Sequence, residues 1–223
     1  MNVAALVSGG KDSVFALHCM EMSGFDVTHV VRVVPRADDS WMFHVPNLGI
    51  VPLQAEAMGK PLVTIEVSGE AEREVTELET GLRGLEVDAL CSGAVASEYQ
   101  RTRLDRVGHR LGFKTFAPLW HKRPRDVLET LIAARYDVRF AAVAAEGLGE
   151  EWLGRRLDPA AVEELEALRA SRGVHAVGEG GEFETLVLDG PPFRRRVVVD
   201  LARREWRRDR GVWRVEAAHL EAK

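Results

Sequence analysis

Short apolar runs alternate with helical patterns over the first half of the chain. Segments whose apolar residues recur at helical spacing predict helices over 12–22, 53–58, 70–82 and 98–111, with Gly24 and Gly112 as stops. The apolar runs between them predict strands over 3–7, 27–34, 62–67 and 88–91, and a short extended segment over 114–117. Strands that alternate with helices favour βαβ units and a parallel sheet, whose ligands bind beyond the carboxyl ends of the strands.

The second half has a different pattern. It predicts helices over 125–135 and 159–172, the second opened by Pro159, and a strand over 138–144. The tail after Phe193 predicts antiparallel strands with a turn at 209–211. We therefore expect an α/β protein with two domains, 1–122 and 123–223.

The amino-acid composition argues against only a few classes of protein. The 223 residues are 46% hydrophobic and 29% charged, and the net charge of −5 argues against a dedicated nucleic-acid binder. Two distant cysteines form no metal-binding pattern and fit a reducing compartment. No apolar run approaches the roughly 20 residues of a membrane span, and no signal peptide is evident. We expect a cytoplasmic protein that does not act at a membrane.

The first predicted strand leads directly into a loop of six small or polar residues, Ser8, Gly9, Gly10, Lys11, Asp12 and Ser13. Free backbone N–H groups and the helix dipole make such a helix start an anion site. The glycines permit close approach, the hydroxyls donate hydrogen bonds, the lysine adds a mobile positive charge, and the aspartate caps the helix or holds Mg²⁺. The alternative is a plain Gly-Gly turn with an aspartate cap. The spacing does not match Walker A. It resembles the S-G-G-x-D-S PP-loop of the ATP pyrophosphatases.

A second polar cluster follows the strand predicted at 88–91. Ser92 and Gly93 form a tight turn, and Ser97 is placed to cap the next helix. Four further side chains crowd the start of that helix: Tyr99, Gln100, Arg101 and Arg103. Two arginines in this position can clamp phosphates or a carboxylate, although a solvated helix start explains the pattern equally well.

Three carboxylates, Glu179, Glu182 and Glu184, surround the pair Gly180–Gly181. Carboxylates gathered at a turn repel one another unless they are solvated or hold a cation. The functional interpretation is a site for Mg²⁺, ammonium or an amine, and the alternative is a solvated hairpin turn.

Aromatic residues in a proline-flanked loop, Trp41 and Phe43 with His44, suggest a wall for adenine or substrate. A buried aromatic cluster beneath a loop is the alternative.

Together these motifs resemble the diphthine–ammonia ligase family of ATP pyrophosphatases. The match covers the chain to about Phe193, and its most specific part is "GEGGEFETLVLDGP" at 178–191. Further matching residues are Gly93–Ala94 with Ser97, Tyr99–Arg101 with Arg103, Pro118–Trp120 and Trp152–Arg155. The resemblance implies a Rossmann-like HUP domain with the PP-loop and a smaller C-terminal α/β domain.

The resemblance also implies a reaction. ATP adenylates the carboxylate of diphthine on translation elongation factor 2, and ammonia displaces AMP to leave the amide. ATP would bind at residues 8–13 with Ser92 and Gly93, and Mg²⁺ at Asp12. The implied catalytic residues are Lys11, Asp12, Glu179, Glu182 and Glu184, with the ammonia-handling glutamate left open. Substrate would meet Ser97, Tyr99, Gln100, Arg101, Arg103, Gly180 and Gly181.

Three alternatives stay open at this point. The chain could amidate a small carboxylate, modify tRNA like other PP-loop enzymes, or sense ATP without turnover. The sequence allows a homo-oligomer and gives no sign of stable nucleic-acid binding. The arginine-rich tail predicts either a contact with the protein substrate or a solvated strand face.

Overall fold

The computed structural model describes residues 1–36 and 46–223. The proposed aromatic wall of Trp41, Phe43 and His44 lies outside the described residues.

A parallel sheet forms the first half of the molecule. Its strands are β1 Asn2–Leu6, β2 Asp26–Pro35, β3 Leu62–Val67, β4 Ala89–Cys91 and β5 Lys114–Phe116, in the order β3-β2-β1-β4-β5. The helices are α1 Lys11–Met22, α2 Val51–Met58, α3 Ala71–Leu82 and α4 Glu98–Leu111. The strand order reverses between β1 and β4, which is where open α/β sheets bind their ligands. The start of α1 lies at this switch point.

Local sequence explains the central elements of this sheet. Residues Val3, Ala4 and Ala5 of β1 are at most 1% exposed, so the strand is apolar on both faces, as parallel strands are. Helix α4 starts where the Ser97 hydroxyl accepts a hydrogen bond from the backbone N–H of Gln100, and it ends at Gly112 in the left-handed conformation. The predicted parallel α/β sheet is confirmed.

An antiparallel sheet forms the second half. Its strands are β6 Asp137–Val143, β7 Phe183–Asp189, β8 Arg195–Arg207 and β9 Arg210–Ala222, in the order β7-β6-β9-β8. The helices α5 Pro124–Ala133 and α6 Pro159–Arg172 complete this half. Its mixed α/β character is as predicted. Strand β7 was not predicted, because its sequence was interpreted only as an acidic turn.

The turn between β8 and β9 was predicted one residue too late. Arg207 pairs with Arg210, so Arg208 and Asp209 form the two-residue turn, with Arg208 at φ 56°. Gly211 belongs to β9 instead. A Cβ atom on Gly211 would lie 2.4 Å from the ring of Trp206, so this glycine is needed for packing rather than for the turn.

One hydrophobic cluster runs through both halves. It joins Val14 and Leu17 of α1 to Phe140 of β6 and Leu186 of β7. The division at residue 122 therefore stays a prediction: the two sheets are distinct, but they share buried packing. No helix in the described part of the chain is long and apolar enough to cross a membrane.

Candidate active site

A cleft of about 430 Å³ opens beyond the carboxyl ends of β1 and β4. Its apolar end is formed by Leu6, Val31, Val33 and Leu48, and its polar end by the two loops that follow β1 and β4. The structure brings twelve of the predicted site residues to the wall of this cleft: Ser8, Asp12, Ser13, Ser92, Gly93, Ser97, Tyr99, Gln100, Glu179, Gly180, Gly181 and Glu184. An apolar end beside an anion-binding helix start fits a nucleotide with its phosphates.

The loop between β1 and α1 is shaped by its own serines and glycines. Gly9 has φ 90°, a conformation that favours glycine. The Ser13 hydroxyl lies 3.2 Å from both the backbone nitrogen and the hydroxyl of Ser8, and it donates to the carbonyl of Gly10 at 3.1 Å. These contacts within the loop fix its conformation.

Strand β7 holds this loop from the other half of the molecule. The N–H of Val187 donates to the carbonyl of Gly9 at 3.0 Å, and the N–H of Lys11 donates to the Thr185 hydroxyl at 3.1 Å. Gln54, fully buried on α2, donates its amide to the carbonyls of Gly9 and Val187 at 3.0 and 2.7 Å. Sequence analysis missed Gln54 and Thr185, because only the tertiary fold brings them to the loop.

Lys11 is not the mobile charge that the sequence suggested. The residue is 2% exposed and does not line the cleft. Its ammonium donates to the Asp12 carboxylate at 2.9 Å and to the carbonyl of Val177 at 2.6 Å, and it lies 5.1 Å from the centre of the Phe183 ring. Lys11 lies beneath the loop. Its ammonium tolerates burial there because these two oxygen atoms accept hydrogen bonds from it. The positive charge of Lys11 therefore reaches the cleft through Asp12, which lies between the ammonium and the cleft.

Gly93 lets the two phosphate-facing loops touch. A Cβ atom on this residue would lie 2.5 Å from the backbone nitrogen of Ser13 and 2.6 Å from the carbonyl carbon of Asp12. No side chain fits there, so the turn after β4 packs directly on the first turn of α1.

Two of the three predicted glutamates face the cleft. Glu179 accepts hydrogen bonds from the backbone N–H groups of Ala96 and Ser97 at 2.9 and 2.8 Å, which ties the C-terminal turn to the start of α4. Burial raises the pKa of Glu184 to about 7; Lys11 opposes this rise, and Asp12 and Glu179 add to it. Burial also raises the pKa of Asp12, against the effect of Lys11.

Glu182 has a different position. Its carboxylate accepts hydrogen bonds from the backbone N–H groups of His175 and Gly180 at 2.9 and 2.8 Å, and it does not line the cleft. This residue therefore shapes the acidic turn.

The two arginines of α4 also lie outside the cleft. The Arg103 guanidinium lies 3.4 Å from the centre of the Tyr99 ring and pairs with Glu72. The Arg101 guanidinium lies 4.5 Å from the centre of the Trp120 ring. Neither arginine is positioned to clamp phosphates in the cleft.

Asp12 fits the predicted magnesium site. Its Oδ1 atom is buried without a hydrogen-bond partner among the described residues, while Oδ2 takes the Lys11 ammonium. No group of three or more metal-binding side chains occurs in the described ranges. Mg²⁺ beside a nucleotide commonly uses only one or two carboxylates together with the phosphates, so Asp12 would be enough as a protein ligand if the ion binds here.

Comparison with known proteins gives a consistent result along the chain. Residues 1–115 match the diphthamide synthase N-terminal domain, and residues 123–220 match the diphthamide synthase C-terminal domain. The chain belongs to the diphthamide synthase family. This membership makes it an ATP-dependent ligase of diphthamide synthesis, and it confirms the resemblance found in the sequence.

The similar curated proteins are all named diphthine–ammonia ligase. The diphthine–ammonia ligases of Bos taurus and Homo sapiens are each 33% identical over 223 residues, covering 90% of this chain and 83% of theirs. The diphthine–ammonia ligase of Schizosaccharomyces pombe is 34% identical, but the chain spans only 36% of its length.

Among solved structures, a predicted subunit of tRNA methyltransferase from Methanocaldococcus jannaschii aligns with 85% of this chain and 97% of its own. Its TM-score of 0.46 and 15% identity are too low to support an argument.

Proposed function

We propose that this diphthamide synthase adenylates the carboxylate of diphthine on translation elongation factor 2 and then amidates it with ammonia, releasing AMP and pyrophosphate. The observation that carries this proposal is the meeting, in one cleft, of the PP-loop and two acidic residues from the C-terminal half, Glu179 and Glu184. The PP-loop is suited to binding a triphosphate, and the two glutamates are suited to binding a cationic nitrogen. ATP-dependent amidation needs both.

The first step joins a carboxylate oxygen to the α-phosphorus and expels pyrophosphate. Negative charge that grows on the leaving group needs donors fixed in advance. The hydroxyls of Ser8 and Ser13, which line the cleft, are the donors we assign to this charge, with the Lys11 ammonium beneath them. Mg²⁺ at Asp12 would supply further neutralisation of the phosphates.

The second step needs neutral ammonia. Glu184 is the better base of the two facing glutamates, because its raised pKa of about 7 lies close to a working pH near neutrality. The Glu184 carboxylate takes a proton from ammonium, ammonia attacks the acyl carbon, and AMP leaves with the electron pair of the broken C–O bond. The phosphate of the departing AMP takes the second proton, which the attacking nitrogen gives up as it becomes the amide. Glu179, held by Ala96 and Ser97, contributes negative charge that keeps the cation in place.

A thiolation reaction on tRNA is disfavoured by the cysteines. Burial raises the pKa of Cys91 to about 12, so this thiol stays protonated at neutral pH and is a poor nucleophile. Two free thiols also fit a cytoplasmic location.

The test is turnover with the purified chain, ATP, Mg²⁺, ammonium and diphthine-bearing elongation factor 2. We expect AMP and pyrophosphate in equal amounts, together with conversion of carboxylate to amide in the mass of the modified peptide. ATP binding without AMP release would contradict the proposal and favour a sensor. If AMP is released only when a small carboxylic acid is added, the acyl substrate is a small molecule and not elongation factor 2.

A further inference from the structure

A second cavity lies beside the nucleotide cleft. It measures about 240 Å³ and extends between the carboxyl ends of β4 and β5 and helix α4. Leu6, Ser92 and Leu104 line both cavities, so the two spaces meet at the end of β1 and β4. A group in this side cavity would therefore reach the phosphates in the cleft at Ser92.

The walls of the side cavity combine apolar and polar surface, and Arg101 is the one cation among its lining residues in the described ranges. Leu90, Phe116 and Ala117 contribute apolar surface, and Arg101 and Asp105 contribute charge. A cavity of this size is far too small for a protein, but it admits one long side chain.

The Arg101 guanidinium is held in place while some of its hydrogen-bond donors stay unused. It stacks 4.5 Å from the centre of the Trp120 ring, and its Nε lies 3.7 Å from Asp105, longer than a hydrogen bond. Within the described ranges its two terminal nitrogens have no hydrogen-bond partner, and the side chain is 43% exposed. This is a pre-oriented fork with free donors, the geometry that binds a carboxylate through two oxygens.

We propose that the side cavity binds the acyl substrate, with Arg101 holding its carboxylate while the apolar walls hold its hydrocarbon stem. This inference rests on the proposed function, because it concerns the carboxylate that is adenylated. A carboxylate and a triphosphate repel each other, and a guanidinium that lines the side cavity offsets that repulsion. One carboxylate oxygen forms the bond to the α-phosphorus as pyrophosphate leaves, and the other stays within reach of Arg101.

The inference predicts a separation between the two substrates. Arg101→Met removes the charge and keeps an apolar stem beside Trp120. Losing a charged hydrogen-bonding partner should raise the KM for diphthine-bearing elongation factor 2 by about tenfold or more. The Kd for ATP, measured by calorimetry without the protein substrate, should change less than about twofold, because ATP occupies the other cavity.

Arg106→Met is the matched control. Arg106 lies on the same helix, is 46% exposed, pairs with Glu72 and lines neither cavity, so its loss should leave both constants unchanged. Ala117→Leu provides an independent variant that fills the side cavity and should raise the same KM. Arg101→Lys keeps the charge without the planar fork and should recover part of the loss.

The outcomes separate the two claims. An inactive wild-type chain would refute the proposed function, and the inference with it. An active wild type in which Arg101→Met and Ala117→Leu leave KM unchanged would refute the inference alone. Weaker ATP binding by Arg101→Met would also refute it, because Arg101 would then belong to the nucleotide site.

Discussion

At the scale of single residues, the site depends on where charge is buried. Glu184 and Lys11 both lie near Asp12, yet they differ in role: one faces the cleft, and the other lies beneath the loop. Their positions in the sequence give no sign of this difference, because burial of each side chain depends on the tertiary fold.

Glu184→Gln tests the general base. In the wild type, amidation should rise with pH through about 7, because the carboxylate accepts a proton only when it is ionised. The variant should lose this inflection and about 10²–10⁴-fold in amide formation, while ATP–pyrophosphate exchange continues. Glu182→Gln is the control with the same chemistry outside the cleft. An unchanged pH profile in Glu184→Gln would assign the proton transfer elsewhere.

Lys11→Met tests the buried ammonium. The substitution leaves the Asp12 carboxylate and the Val177 carbonyl without their donor, which should lower the free energy of unfolding by about 3 kcal/mol. Urea denaturation measures the loss, and exposed Lys122→Met should change stability by less than about 0.5 kcal/mol. A fully stable Lys11→Met protein would contradict the stabilising role that we assign to these two contacts.

At the scale of elements, the important contact is between loops that are distant in sequence. The turn after β4 packs on the start of α1 through Gly93, and strand β7 bonds the same loop through Val187 and Thr185. The phosphate-binding backbone is thus supported from two sides.

Gly93→Ala tests this packing. Its Cβ would meet backbone atoms that cannot rotate away, so the start of α1 must shift. We expect ATP affinity to fall at least about tenfold and stability to fall by about 1–3 kcal/mol. Gly49→Ala is the control, since a Cβ there has no neighbour within 4 Å among the residues that the structure describes. Calorimetric ATP binding equal to the wild type would contradict the argument.

The same elements show how far sequence reasoning reached. Periodicity predicted the strands and helices of the first half to within a few residues, because each carries its own apolar pattern. The motifs predicted most of the cleft lining. Strand β7 was missed because its apolar run was interpreted only as part of an acidic turn. Gln54 and Thr185 were missed since their partners lie up to 174 residues away and leave no local signal. The mobility expected of the Lys11 ammonium was wrong for the same reason, because this group donates to the carbonyl of Val177, 166 residues away.

At the scale of the whole molecule, the two halves depend on each other. The shared hydrophobic cluster and the bonds from β7 to the PP-loop join the sheets. Neither half completes the cleft alone, because ATP contacts would come from one and the carboxylates from the other.

This dependence predicts one unfolding transition. Thermal unfolding followed by circular dichroism and by tryptophan fluorescence should give the same midpoint, and ATP should raise both together. Two separate midpoints, with only one raised by ATP, would show that the halves are independent domains and that the shared core contributes little.

The central claim is that the cleft transfers AMP to a carboxylate. Elongation factor 2 with ¹⁸O in the diphthine carboxylate tests it most directly, by mass spectrometry of the released nucleotide and phosphates. We predict one ¹⁸O in AMP and none in pyrophosphate, because the carboxylate oxygen stays on the α-phosphorus when ammonia displaces AMP. Label in inorganic phosphate with ADP as the nucleotide, or unlabelled AMP, would contradict the account.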